Sequence, residues 1–371
     1  MTTLHTVSNT PVPILEKVDS EEEDFNSSPA HYEIVTYPAD YTLEGLVHKY
    51  QRNQIKIPGF QRKFVWKIQQ ASKLIESFLL GLPVPAIFVY TNPDDNTLDV
   101  IDGQQRLLSI VYYFEGYFGP SENEKRTVFS LRGLHEDSPY KDKTYAEIKV
   151  ADPSAWNRLN DAVLRAFVVK QLNPANHTSV YHVFERLNTG GTHLTGQEIR
   201  NCVYSGSFND LLQELNKNNN WRKIFGSDKA DVRQRDIELI LRFFALSNNS
   251  NTYKKPMKDF LSEFMSDQRR ISKEKLESYK KTFRAVTKDI IDHLGPKPFH
   301  IRSGLNAAVF DSVMVAFAHN HDSGIPENIK LRYQTLTEQT DFLKCISNST
   351  TDDTIVAERL SLANKYLFDA R

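Results

Sequence analysis

A short run of polar and charged residues stands where a predicted strand turns into a predicted helix, within VIDGQQRLLSIVYYF at residues 100–114. The run consists of Asp102, Gly103, Gln104, Gln105 and Arg106. A helix N-terminus has four free amide donors and a partial positive charge, so it attracts anions. Glycine lets the backbone take a positive φ and come close to a ligand. The pattern is therefore typical of a site for a phosphate group.

Each polar side chain of this corner has a chemical use beside a phosphate. Arg106, one turn into the helix, can place two N–H donors on phosphate oxygens, and such a charge-assisted bond contributes about 1.5–3 kcal/mol. Gln104 and Gln105 can orient a water molecule or a base edge. Asp102 is useful next to a phosphate only if it holds a divalent cation or polarises the attacking water.

A purely structural interpretation of the same residues is equally open at this point. Asp102 would then be the N-cap of the helix, Gly103 a turn residue and Arg106 a surface charge. In both interpretations we expect Arg106 on the exposed side of a helix whose other face is apolar. The stretch is not a P-loop, because GxxxxGK is absent, and it is not a Rossmann fingerprint.

A second polar cluster surrounds a Gly-Gly turn in VFERLNTGGTHLTGQEIRNCVY, residues 183–204. Thr195 and Glu198 have the spacing of a capping box, which predicts the start of a helix. Capping does not account for the other amides and guanidiniums, which indicate a polar site between domains. These are Arg186, Asn188, Gln197, Arg200 and Asn201.

Residues 45–75 carry basic side chains and no acidic ones: Lys49, Arg52, Lys56, Arg62, Lys63, Lys67 and Lys73. Most of them are expected to form a solvated face. Arg62 differs, because it lies within the apolar and aromatic stretch IPGFQRKFVW, where a guanidinium needs a partner. The formal net charge of the whole chain is -1, so any contact with DNA has to be local.

Composition narrows the class of protein. Hydrophobic residues make up 40% of the 371 residues and charged residues 25%, as in ordinary globular proteins. Two cysteines argue against a disulfide framework or a thiolate zinc site. No apolar run reaches the roughly 18 residues of a membrane span, and the N-terminus lacks a signal pattern. We therefore expect a reduced, cytoplasmic protein.

Periodicity predicts the elements that hold these residues. Residues 1–30 are acidic and aperiodic, which predicts a disordered tail. QQASKLIESFLLG predicts a helix, AIFVY and TLDVI a hairpin, and TVFSLRG and LRAFVVKQL further strands. After Asn173-Pro174 the segments have helical spacing. The sequence thus predicts an α+β domain over residues 31–175 and an all-helical domain over residues 176–371.

Four motifs in order resemble the N-terminal domain family of GmrSD-type type IV restriction systems: IPGFQRKFVW, LIESFLLGLPVPAIFVY, VIDGQQRLLSI and FERLNTGGTHLTGQEIRN. The later QRDIELILRFFAL and NAAVFDSVMVAFA are similar too. That family is related to the ParB/sulfiredoxin-like fold, whose members bind nucleotide phosphates at a strand-to-helix Gly-x-x-Arg corner. Gly103 and Arg106 match this corner. The resemblance implies a ParB/sulfiredoxin-like, NTP-binding N-terminal domain followed by helices.

The resemblance also implies roles for residues. DGQQR would be the NTPase motif, with Asp102, Gln105 and Arg106 catalytic, Asp102 the ligand of Mg²⁺, and an NTP the substrate. The implied nucleotide-binding residues are Gln61, Arg62, Gly103, Gln104, Arg186, Asn188, Thr189, Gly190 and Gly191. Arg186 and Asn188 match the ParB-like Glu-Asn-x-x-Arg motif only loosely.

A nuclease centre is expected elsewhere. Many family members carry a C-terminal HNH domain, but Asp292, His293 and His300 lack the rest of that pattern and indicate a loop. The chain ends soon after its helical segments, so we expect a separately encoded HNH nuclease subunit to cut modified phage DNA. Local DNA contacts are expected from Arg52, Lys63 and Lys67.

The sequence therefore predicts an NTP-hydrolysing subunit of an anti-phage restriction system. Two alternatives remain open. One is a DNA-nicking enzyme in which Asp102 and Glu198 hold a metal, and the other is a non-catalytic adaptor that a nucleotide switches. The preferred NTP, the recognised DNA modification and homo-oligomer formation also stay open.

Overall fold

The computed structural model describes residues 34–57, 64–93, 95–120, 126–172, 179–187, 195–302 and 304–369, without the side chains of residues 179, 180, 186, 187 and 202. The predicted tail at residues 1–30 lies outside this range. Packing divides the chain into two compact units that meet in sequence between His193 and Leu194. We call them the N-terminal unit and the helical unit.

A five-stranded mixed sheet forms the centre of the N-terminal unit. Its strands are β1 (Ile34–Thr42), β2 (Ile55–Lys56), β3 (Ile87–Thr91), β4 (Leu98–Asp102) and β7 (Val163–Gln171), in the order β1-β7-β3-β4-β2. β3 pairs with β4 antiparallel and with β7 parallel, so the predicted hairpin and the predicted strand LRAFVVKQL are confirmed. The remaining strands, β5 (Tyr117–Phe118) and β6 (Thr127–Val128), pair separately, and TVFSLRG provides only two strand residues.

The described part of the N-terminal unit also contains six α-helices. They are α1 (Leu43–Gln51), α2 (Ile68–Leu79), α3 (Gln104–Glu115), α4 (Tyr145–Ala151), α5 (Pro153–Asp161) and α6 (Ser179–Leu187). The face that periodicity predicts for α2 is buried: Ala71, Leu74, Ile75, Phe78 and Leu79. α6 belongs to the N-terminal unit, although it follows residue 175, where the sequence changes to helical spacing.

The described part of the helical unit contains ten α-helices: α7 (Gly196–Val203), α8 (Ser207–Leu215), α9 (Asn219–Phe225), α10 (Arg235–Asn249), α11 (Met257–Asp267), α12 (Lys273–Leu294), α13 (Ala307–Asn320), α14 (Ile329–Glu338), α15 (Thr340–Cys345) and α16 (Asp353–Asn364). α13 is buried from Ala308 to Phe317 and packs against α10, α12 and α16. It is therefore a core helix, as its apolar stripe predicts.

Three buried charges join helices of this unit. Arg242 of α10 donates to both carboxylate oxygens of Asp311 in α13, at 3.1 and 2.5 Å. Arg359 of α16 donates to the same carboxylate at 2.9 Å. Asp311 and Arg359 are fully buried, so the carboxylate compensates two desolvated guanidiniums.

The helices of the described residues were also compared with the length and hydropathy of a membrane span, and none of them reaches both.

Candidate functional site

The predicted strand-to-helix corner is present. β4 ends at Asp102, Gly103 has a φ of 92°, and α3 begins at Gln104. A Cβ on Gly103 would lie 2.3 Å from Cγ2 of Ile87 in β3, and 3.1 Å from Nη2 of Arg106. Glycine is required here for two reasons, because the φ is left-handed and because the neighbouring strand leaves no space.

Asp102 and Arg106 form an ion pair across this corner. Nη2 of Arg106 lies 2.8 Å from Oδ2 of Asp102 and also donates to the carbonyl oxygen of Ala86 at 3.1 Å. The Arg106 side chain is only 18% exposed, whereas that of Asp102 is 46% exposed. The expectation that Arg106 lies on the exposed side of α3 is therefore wrong, because the glycine turn brings its guanidinium back against the strand ends.

The helix-capping interpretation of Asp102 is also wrong. The N-cap position of α3 is Gly103, which has no side chain to cap the first turn. Asp102 is the last residue of β4, and the described hydrogen bond of its carboxylate is with the Arg106 side chain. Meanwhile Nε of Arg106 is buried and bonds to none of the described residues, so the guanidinium retains donor capacity.

Gln105 makes two contacts that its sequence position does not reveal. Its side-chain oxygen Oε1 accepts hydrogen bonds from the backbone amides of Val65, at 2.9 Å, and Trp66, at 3.1 Å. Gln104 is partly exposed at the start of α3. We call the two hydrogen bonds from the Val65 and Trp66 amides to Gln105 the clamp. They join residues about 40 positions apart in the sequence, so no local pattern could have predicted them.

Part of the predicted nucleotide site lies outside the described residues: Gln61, Arg62, Asn188, Thr189, Gly190 and Gly191. The same holds for Lys63 and for the side chain of Arg186. Of the predicted DNA-binding residues, Arg52 follows α1 and Lys67 precedes α2, and both are exposed.

Lys56 of the basic stretch is paired with an acid. Its Nζ lies 2.7 Å from Oδ2 of Asp95, in the β3–β4 connection. Thr97 donates to the other oxygen of the same carboxylate through its hydroxyl at 2.6 Å and its amide at 3.0 Å. The hydrogen bond from Lys56, followed by those from Thr97, lowers the pKa of Asp95 to about 2. Lys56 therefore contributes to the hairpin.

The second polar cluster is structural where it is described. Thr195 and Glu198 form the predicted capping box of α7, with Thr195 N 2.7 Å from the Glu198 carboxylate. Gln197, Arg200 and Asn201 are fully buried. Arg200 donates to Gln197 at 3.0 Å and to Glu238 of α10 at 2.6 Å. These two amides and one guanidinium are buried and bond within the helical unit, so the prediction of a polar site between domains is wrong for them.

Glu198 does not offer a free carboxylate for a metal. It is 2% exposed and holds the N-terminus of α7. Among the described residues, no group of three or more His, Cys, Asp or Glu side chains is placed to hold a metal ion. The helix α12 extends through Asp292 and His293, so the prediction of a loop at these two residues is wrong. There Asp292 pairs with Lys288, and Nδ1 of His293 lies 2.9 Å from the Asp289 carbonyl oxygen.

The corner does not contribute to the described cleft of the helical unit. An open cleft of about 580 Å³ in the helical unit is lined by residues of α13, of α16 and of the segment 250–254 that follows α10. None of the predicted site residues lines it. The candidate site is therefore recognised from the positions of its side chains and not from this cleft.

Comparison with known families matches the part of the chain that holds this corner. Residues 43–205 are similar to the GmrSD restriction endonuclease N-terminal domain. The matched residues contain the Asp102–Arg106 corner and the capped helix α7. No curated protein matches the chain in sequence.

The match ends at residue 205, before α10 and α13, so the resemblance of the later segments stays a prediction. The matched residues include the clamp between Gln105 and the Val65–Trp66 amides. The corner and the clamp therefore both lie within the part of the chain that is similar to the GmrSD N-terminal domain.

Proposed function

We propose that the chain binds the phosphates of a nucleoside triphosphate at the β4–α3 corner and hydrolyses it, as the NTP-dependent subunit of a modification-dependent restriction system. One observation carries the proposal. At a single corner within the residues that are similar to the GmrSD N-terminal domain, a glycine that excludes a Cβ precedes an arginine in the first helical turn. The mixed sheet and the Gly-x-x-Arg corner also support a ParB/sulfiredoxin-like fold for the N-terminal unit.

Phosphate binding follows from the charges at the corner. The first turn of α3 directs its positive dipole end toward the space beyond Gly103, and a helix N-terminus is a ready anion site. Arg106 adds a guanidinium whose single described ion pair is with Asp102. A bound phosphate would compete with Asp102 for this guanidinium, since both are anionic ligands of the same donor set.

Asp102 is suited to hold Mg²⁺ beside the phosphates. Its side chain is 46% exposed, so its carboxylate is accessible. Mg²⁺ in nucleotide sites commonly takes one or two carboxylates together with phosphate oxygens. The ion would neutralise charge that develops on the phosphates. In this arrangement Asp102 would orient the reacting groups by holding the ion, and Arg106 would bind the phosphate.

The restriction role assigns further interactions to this chain. Arg52, Lys63 and Lys67 are the proposed DNA contacts, and the few cations involved predict a modest slope of affinity against salt. DNA cleavage is assigned to an HNH nuclease subunit that acts with this chain on modified DNA. Gln104 and the residues Gln61, Arg62, Arg186 and Asn188–Gly191 are proposed to complete the nucleotide site.

The proposal is tested with the purified full chain, Mg²⁺ and each of the four NTPs, by phosphate release and by calorimetric binding. We expect hydrolysis of an NTP without cleavage of plain or hydroxymethylcytosine-containing DNA. Cleavage of the modified DNA is expected once an HNH subunit is added. The absence of any NTP binding would refute the proposal, and binding without turnover would favour the adaptor.

Asp102→Ala separates binding from turnover in the same assay. We expect NTP affinity to be equal or higher, because the variant removes a carboxylate that repels phosphate and occupies Arg106. Hydrolysis should fall by orders of magnitude, because orientation of the reacting groups is lost. Mg²⁺-dependent nicking by the chain alone that disappears in this variant would instead favour the nuclease alternative.

A further inference from the structure

The segment Phe64–Lys67 is attached to the first turn of α3 by one side chain. Oε1 of Gln105 lies 2.9 Å from the amide nitrogen of Val65 and 3.1 Å from that of Trp66. A carbonyl oxygen has two lone pairs, and these two bonds occupy both. Gln105 therefore cannot accept a bond from a water molecule or a base without releasing one of the amides.

A second contact anchors the same segment by packing. The Phe64 ring meets the Tyr112 ring of α3 edge-on at 5.1 Å and the Phe118 ring of β5 at 5.5 Å. Trp66 is partly buried, whereas Val65 is 69% exposed and Lys67 is exposed. The segment thus has inward-facing rings at positions 64 and 66 and outward-facing side chains at positions 65 and 67. It lies in this orientation beside the helical turn that contains Arg106.

We infer that Gln105 is a positioning residue, which holds Val65 and Trp66 as one wall of the nucleotide site. The inference rests on the proposed function. A wall contacts a bound nucleotide in the ground state and in the transition state alike, so its loss weakens binding in both. This role differs from the catalytic role that the DGQQR motif implies for Gln105, since a group that orients water acts mainly on kcat.

Three variants of the full chain separate these roles. Gln105→Ala removes the acceptor, and Gln105→Glu keeps an oxygen that can accept both amides. Gln70→Ala is the matched control, because Gln70 Oε1 accepts the neighbouring Lys67 amide at 2.9 Å from within α2. It removes the same type of bond from the same segment without touching α3.

The direct measurement is hydrogen exchange at the amides of Val65 and Trp66. In Gln105→Ala we expect exchange at both to accelerate by about tenfold, the order expected from one lost hydrogen bond. Gln105→Glu should retain protection, and Gln70→Ala should affect Lys67 alone. Unchanged exchange at Val65 and Trp66 in Gln105→Ala would overturn the inference.

Steady-state kinetics then test the consequence for the nucleotide. We expect Gln105→Ala to raise KM for NTP several-fold and to leave kcat within about twofold, with KM restored toward the parent value in Gln105→Glu. A large fall in kcat at unchanged KM would overturn the inference in favour of a catalytic glutamine. A parent chain that binds no NTP would refute the proposed function and, with it, the assignment of this segment as a nucleotide wall. The exchange data would still establish the clamp.

Discussion

At the scale of single residues, the candidate site depends on the contact between Gly103 and its neighbours. The glycine has a φ of 92° and leaves no space for a Cβ against Ile87. This close approach allows Arg106 to reach both Asp102 and the carbonyl oxygen of Ala86. Glycine has a hydrogen atom where alanine has a methyl group, and this difference therefore decides whether the Arg106 guanidinium can lie at the strand ends.

Gly103→Ala should destabilise the chain more than Gly116→Ala does. Both glycines flank α3 with left-handed φ, of 92° and 80°, so each alanine incurs about 1–2 kcal/mol of backbone strain. A Cβ at Gly116 meets nothing within 4 Å, whereas one at Gly103 overlaps Ile87. We expect an additional loss of about 1–3 kcal/mol for Gly103→Ala. Urea unfolding measures the difference, and equal losses would contradict the predicted overlap.

Arg106→Ala should abolish NTP binding while the fold is retained. Its matched control is Arg126→Ala, because Arg126 is 17% exposed and pairs with Glu115 at 2.8 Å, at the other end of α3. The two variants lose the same type of ion pair at the same burial, but only Arg106 lies at the corner. Calorimetry with NTP and Mg²⁺ checks this. Equal affinities of the two variants would show that Arg106 does not bind phosphate.

At the scale of elements, strand pairing holds the corner in place. β4 is paired on both sides, antiparallel with β3 and parallel with β2. Lys56 in β2 reaches the β3–β4 connection through its ion pair with Asp95. The strand β4 is therefore held from both sides at Leu98 and Asp99, and β3 continues the pairing to Asp102, where the chain turns into α3.

The Lys56–Asp95 pair predicts a pH dependence at this hairpin. The pKa of Asp95 is lowered from 3.8 to about 2, so its contribution to stability is fully present above about pH 4 and is lost as the pH falls toward 2. Titration of the Asp95 carboxyl by NMR measures this pKa. In Lys56→Gln we expect it to rise without reaching its ordinary value, because the bonds from Thr97 remain. An unchanged midpoint would mean that Lys56 does not act on the carboxylate.

At the scale of the whole molecule, the two units are stabilised differently. The described core of the N-terminal unit is an apolar cluster that includes Leu107, Ile110 and Val111 of α3. The helical unit adds buried charges to its apolar core, among them the pair Arg200–Glu238 and the cluster of Arg242, Asp311 and Arg359. Its stability is therefore sensitive to the loss of a single buried acid.

Asp311→Ala should lower the stability of the helical unit by about 3–5 kcal/mol, because it leaves two buried guanidiniums without their carboxylate. Asp292→Ala is the control, since Asp292 is 46% exposed and its pair with Lys288 lies on the surface. Hydrogen exchange should accelerate in α10, α13 and α16 of Asp311→Ala. If both variants exchange like the parent, the cluster does not stabilise these helices.

The sequence by itself determined the features that depend on neighbours within one or two turns. These are the buried face of α2, the β3–β4 hairpin, the strand–glycine–helix corner, the Thr195–Glu198 capping box and the helical second half. Their physical causes, namely periodic burial, glycine φ and capping, act over a few residues and can be recognised directly in the sequence.

Only the tertiary structure decided which polar groups pair. Arg106 is partly buried because the neighbouring β3 begins beside Gly103, and Gln105 clamps amides about 40 positions away. Arg200 bonds to Glu238, although its sequence context indicated a polar site between domains. The types of these residues show that each needs a partner. Their spacing in the sequence does not predict which residue that partner is, because strand order and helix packing bring residues together that are distant in the sequence.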